Sequence, residues 1–186
     1  MARRRLAPDR RSIPLVAALL GVAVGARADG PDGAVLLVVD GAVDPPAALA
    51  GPAPGAAHFD RAALEALPPT TVRTATPWSE GVVRYEGARV AEVLRAAGAS
   101  PGARVIADAV NDYRAELDAE ELARYPIIVA WLADGEPMTV RTLGPLRIVF
   151  PFDDHPELRG ASAEARSVWQ LVRLRAIGPD DPPADR

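Results

Sequence analysis

Hydrophobic and polar positions along this chain change period several times, and each change marks an element. "AVLLVVDGAV" (34–43) is a continuous apolar run closed by Asp-Gly, which predicts a strand ending in a turn. The Pro/Gly/Ala stretch that follows has no period and reads as a linker, with His58 inside it. Asp60 then predicts the cap of a short helix, "RAALEAL", which Pro68-Pro69 stops. A strand to Thr76, a bend at Pro77-Trp78 and a second strand, "VVRYEG", come next. Val90, Val93, Leu94 and Ala97 recur at helical spacing, and Gly98 stands where a residue just past a helix end belongs.

The second half continues in the same style. "ARVIADAV" (103–110) predicts a strand and "NDYRAEL" an irregular segment. Asp118 with Glu121 resembles a capping box opening a helix over "AEELARY". "PIIVAWLADGEPMTVR" predicts a buried strand, an Asp-Gly turn and a return segment. "GPLRIVFPF" and "SVWQLVRLRAI" predict two further strands. About seven strands and three short helices, without regular βαβ alternation, predict an α+β fold with mixed, mostly antiparallel sheets. The organisation expected is an export signal (1–28), an N-terminal strand and linker (29–57), the main domain (58–177) and a disordered tail (178–186).

The signal rests on a basic start, an apolar run over 12–24 too short to span a bilayer comfortably, and Ala26-Arg27-Ala28. An uncleaved anchor is the other reading of that segment. Removing residues 1–28 takes away six Arg and one Asp, leaving 15 basic and 24 acidic residues, a net charge of −9. A periplasmic or otherwise exported domain so acidic is not expected to bind nucleic acid or to insert in a membrane after cleavage. The chain contains no cysteine and two histidines, so thiolate chemistry and Cys-ligated metals are excluded. "DDHPE" (153–157) is the one carboxylate–imidazole cluster, and it reads more simply as a polar surface loop.

Few residues remain to carry chemistry. Trp78, placed at a bend, is either a structural plug or a shelf for a flat ligand. Asn111 and Asp112 fit a strand-end turn, or an amide–carboxylate edge for an aminopyrimidine-like ring. Arg141, before the Gly-Pro bend, could close over a ligand or hold its anionic tail. Arg147, within a strand, could simply point to solvent. Trp169-Gln170 reads as core.

Taken in order, "WSEGVVRYEGARVAEVLRAAGA", "NDYRAELDAEEL", "PIIVAWLADGEPMTVRTLGPLRIVFPFD" and "SVWQLVRL" resemble the molybdopterin-binding domain of the sulfite oxidase superfamily. The resemblance runs from Phe59 to Ile177. It implies that superfamily's fold, and a cleft where its enzymes hold molybdenum through a cysteine near what is here Thr74 to Thr76. Threonine is a poor substitute for a thiolate toward that metal, so the resemblance argues against a molybdenum oxotransferase.

Thr76-Pro77-Trp78 and Asn111-Asp112-Tyr113 are similar to a shorter, cysteine-free, exported branch, some members of which bind a free reduced pterin. These can present it to the periplasmic region of a membrane-bound signalling protein. That likeness implies a ligand-binding set of Thr76, Trp78, Asn111, Asp112, Tyr113 and Arg141. Trp78 would stack on the ring, Asn111 and Asp112 read its edge, and Arg141 close the mouth. The expected protein is a non-catalytic pterin receptor without molybdenum. The alternatives are a molybdopterin-dependent oxidoreductase lacking the usual cysteine, and a scaffold for a protein partner.

Overall fold

The computed structural model describes residues 33–178. The expected export segment, and all but the first residue of the expected tail, lie outside the described residues. In chain order the elements are β1 (Leu37–Gly41), β2 (Ala56–Phe59), α1 (Arg61–Glu65), β3 (Pro69–Ala75), β4 (Val82–Arg89), α2 (Val90–Ala96) and β5 (Arg104–Ala109). After these come β6 (Arg114–Leu117), α3 (Ala119–Arg124), β7 (Ile128–Ala133), β8 (Glu136–Pro137), β9 (Arg147–Val149), α4 (Ala161–Arg166) and β10 (Leu171–Ile177).

Two sheets carry the fold. The first has the order β2-β1-β10-β5-β6, and the second β3-β4-β7-β8 with β9 also on β7. β1 runs parallel to β10, and the other strand pairs described are antiparallel. The α+β expectation of mixed, mostly antiparallel sheets with short helices holds.

Strand alternation explains how the layers share a core. In β7, Val129 and Trp131 join a large cluster with Leu37 and Val39 of β1, Val105 and Ala107 of β5, and Leu171 and Leu174 of β10. Ile128 and Ala130 face the other way, onto Val72, Tyr85, Met138 and Val149. Successive side chains on a strand point to opposite faces, so one strand serves both clusters.

The helix ends follow the expected chemistry. Asp60 accepts hydrogen bonds from the backbone N–H of Ala63 and of Gly33, each at 2.8 Å. Asp118 accepts one from Glu121 N–H at 2.9 Å, but the expected capping box is only half formed, because the Glu121 carboxylate turns away to pair with Arg166 of α4. Gly98 follows α2 at φ +72°, and a Cβ there would lie 2.1 Å from the Asp44 carbonyl oxygen. Only glycine fits that close, left-handed position.

Two expectations are corrected. "NDYRAEL" is half strand: Asn111 and Asp112 make a tight turn, and Arg114–Leu117 returns as β6 along β5. Its pattern is concealed by charge, because Arg114 and Glu116 pair across the sheet with Asp108 at 2.7 Å and Arg104 at 3.5 Å. His58 does not sit in a linker; it lies in β2, in register with Val38 of β1. Alanine and histidine carry little strand signal, so only the tertiary pairing reveals that strand.

Candidate functional site

The bend at Pro77-Trp78 is built by its neighbours. Thr76 N–H donates to the Ser79 hydroxyl oxygen at 2.9 Å, and Ser79 N–H donates to the Thr76 carbonyl at 3.1 Å. The Thr76 hydroxyl oxygen accepts from Trp78 N–H at 3.3 Å. Thr76, 8 % exposed, therefore fixes the turn that carries the indole. The strand leading into it is pinned by Asp153, whose carboxylate accepts from Ala75 N–H at 3.0 Å and also pairs with Arg159.

The "DDHPE" loop thus uses its groups locally. His155 lies 3.4 Å from Glu157 and edge-on to Tyr125, and the contacts of Glu157, led by backbone hydrogen bonding, hold its carboxyl below the usual carboxylate range. No group of three potential metal-ligating side chains converges among the described residues.

Trp78 is 41 % exposed and borders a cleft of about 320 Å³ lined also by Asn111, Tyr113, Glu164, Ser167 and Trp169. That volume is at the small end of the range for small-molecule sites, roughly 300–1,000 Å³. The indoles of Trp78 and Trp169 meet edge to face at 5.1 Å. Asn111 and Tyr113 come from the β5–β6 turn. Tyr113 O–H donates to the Ala165 carbonyl of α4 at 2.8 Å, closing one wall.

Of the six residues expected at the site, the structure brings Trp78, Asn111 and Tyr113 together and places Thr76 behind the indole. Asp112 does not line this cleft. Its left-handed backbone, φ 63°, sends it to a separate cavity beside His58, Asp108 and Arg114. Arg141 is exposed in a single turn after β8 and is not part of the cleft lining.

Arg147 is the unexpected member. It does not point to solvent: it is 2 % exposed in β9. Its guanidinium carbon lies 5.1 Å from the Trp78 ring centre and 5.6 Å from that of Tyr85. One nitrogen reaches the Tyr85 hydroxyl at 3.4 Å, while Nε and Nη2 have no hydrogen-bond partner. Burial pulls its pKa down from the ordinary arginine value, and Tyr85 opposes that in part. A buried cation with two idle donors is costly unless something completes it.

The residues near the strand end do not offer molybdenum a protein thiolate. Thr74 is fully buried with its hydroxyl donating to the Ala75 carbonyl at 3.3 Å, and the Thr76 hydroxyl serves the turn. The cleft itself offers an exposed indole and an amide, while the Arg147 guanidinium lies buried against that indole, outside the cleft lining.

The family model for the oxidoreductase molybdopterin binding domain matches residues 61–153, half of the chain. It takes in Trp78, Asn111, Tyr113 and Arg147; Glu164 and Trp169 lie past its end. Among solved structures, the fold is similar to the sulfane dehydrogenase SoxCD from Paracoccus pantotrophus, with a TM-score of 0.54 at 19 % identity. That alignment covers 76 % of this chain and 37 % of the other, so this chain spans little more than a third of that neighbour's length. No curated protein matches. On the family match, with a fold to agree, the chain belongs to the oxidoreductase molybdopterin binding domain family.

Proposed function

We propose that this domain is an exported receptor that binds a free reduced pterin, without molybdenum, in the cleft beside Trp78, and catalyses no reaction of its own. The observation that supports this most is the half-exposed indole of Trp78 resting on the buried guanidinium of Arg147, whose Nε and Nη2 have no partner. A flat ring stacked on the indole gains on the order of a kcal/mol beyond its buried area. Any electron-rich or anionic atom of the ligand that reaches Arg147 relieves a donor that is otherwise idle.

In this reading the ligand is handed to, or sensed by, the periplasmic region of a membrane-bound signalling protein. The domain's negative charge is no obstacle to a small, nearly neutral ligand.

The test is isolation of the protein from its own host, followed by mass spectrometry of the co-purifying small molecule and metal analysis. A pterin with no molybdenum is the expected result. Stoichiometric molybdenum would replace the receptor reading with a cysteine-independent oxidoreductase. If, in addition, isothermal titration shows no heat with any tetrahydropterin, the receptor reading fails.

A further inference from the structure

We infer that Glu164, on α4, is the residue that selects the ligand, by accepting paired N–H bonds from the amino-bearing edge of the ring; this rests on the pterin reading above. Glu164 is the one carboxylate among the residues lining the cleft. Among the described residues its carboxylate makes no hydrogen bond and no ion pair. The cation on its own helix does not neutralise it, because Arg166 is held by Glu121 and by the Ser162 carbonyl.

The hydroxyls and the amide of the cleft are already committed in one direction. Tyr113 O–H donates to the Ala165 carbonyl at 2.8 Å, and Ser167 O–H donates to the Ala163 carbonyl at 3.0 Å. Both hydroxyl protons are thus spent on the backbone of α4, leaving oxygen lone pairs for a ligand. The Asn111 Oδ1 accepts from Tyr113 N–H at 3.4 Å, which leaves its NH₂ free to donate.

The cleft therefore presents a carboxylate acceptor pair at Glu164 and, beside the two indole N–H groups, a donor at Asn111. That is the complement of a ring whose edge carries an exocyclic amino group and an adjacent ring N–H, with a carbonyl beyond them. A carboxylate accepts two parallel N–H bonds in the same planar fork that it forms with a guanidinium. A ring with a second carbonyl in place of the amino group would set oxygen against oxygen, and an acceptor facing an acceptor is rejected more strongly than a merely missing contact.

The experiment compares tetrahydropterin with tetrahydrolumazine, which has an oxygen where the pterin has its amino group. Both are titrated anaerobically into the full protein, into Glu164→Gln and into Trp78→Ala. The wild type should prefer tetrahydropterin. Glu164→Gln should lose about tenfold to a hundredfold toward tetrahydropterin, with little change toward tetrahydrolumazine, so that the preference collapses. Its melting temperature should match the wild type, since the carboxylate holds nothing in the fold.

If Glu164→Gln keeps the wild-type preference while Trp78→Ala still weakens binding, Glu164 is not the selector and the pterin reading stands. If the wild type binds neither compound, both fall together.

Discussion

Replacing Arg147 with methionine tests whether the buried cation is kept for the fold or for a ligand. In the ligand-free protein its Nε and Nη2 are unpartnered, and each idle donor on a buried charge costs roughly 1–3 kcal/mol. The contacts with Trp78 and Tyr85 return roughly 1–2 kcal/mol each at a desolvated site, and the 3.4 Å hydrogen bond to Tyr85 adds little. These terms nearly cancel, leaving about 0–2 kcal/mol in favour of removing the charge. Methionine fills similar space, and even buried ion pairs replaced by apolar residues often leave a protein equally or more stable.

The ligand-free Arg147→Met protein should therefore melt at the wild-type temperature or a few degrees higher, as followed by circular dichroism. Its stabilisation by added tetrahydropterin should shrink sharply. If instead the variant loses more than about 2 kcal/mol of ligand-free stability in urea, the guanidinium is a structural member of the core, and the inference from its unpaired donors is wrong.

Trp78→Ala should weaken tetrahydropterin binding by about tenfold or more in calorimetry, while the protein still purifies folded; loss of the fold would make the indole a plug. Gly98→Ala should destabilise by roughly 1–3 kcal/mol, measured by chemical denaturation, because it combines a left-handed φ with a clash against the Asp44 carbonyl. The Asp60 carboxyl is held below its ordinary value mainly by the Ala63 and Gly33 N–H groups. Its stabilising effect is complete above the unfolded-state value near 4 and is lost as pH falls through the lower folded-state value. Asp60→Asn should accordingly flatten that acid limb in a pH series of thermal melts, and an unchanged limb would place the titration elsewhere.

The elements that the sequence shows are those whose apolar pattern is unbroken. β7 follows from its apolar run, and α1 and α3 from their aspartate caps. β6 hides behind two charged residues that pair across the sheet, and β2 behind alanines. At the cleft, Trp78 stands out because a bend is a poor place for an indole without a purpose.

The burial of Arg147 is legible in its neighbours. Leu146, Ile148, Val149 and Phe150 surround it, and a strand apolar on both faces has no solvent side for an arginine to seek. Asp112 was not legible. Adjacent residues in a tight turn diverge, and its left-handed backbone parts it from Asn111 and Tyr113 by a rotation that composition does not encode. Glu164 and Trp169 reach the cleft only through tertiary packing of α4 and the approach to β10.

The cleft takes its walls from both layers: Trp78 follows a strand of one sheet, while Asn111 and Tyr113 join two strands of the other. A molecule seated there would act as mortar between the layers, adding to the greasy side chains and to the few backbone hydrogen bonds, such as Leu171 N–H to the Leu146 carbonyl at 3.0 Å, that already join them. Resistance to heat and to protease should then climb with the concentration of the guest, following simple mass action. On the receptor reading, the architecture would turn a modest recognition event at one rim into firmness felt across the whole molecule.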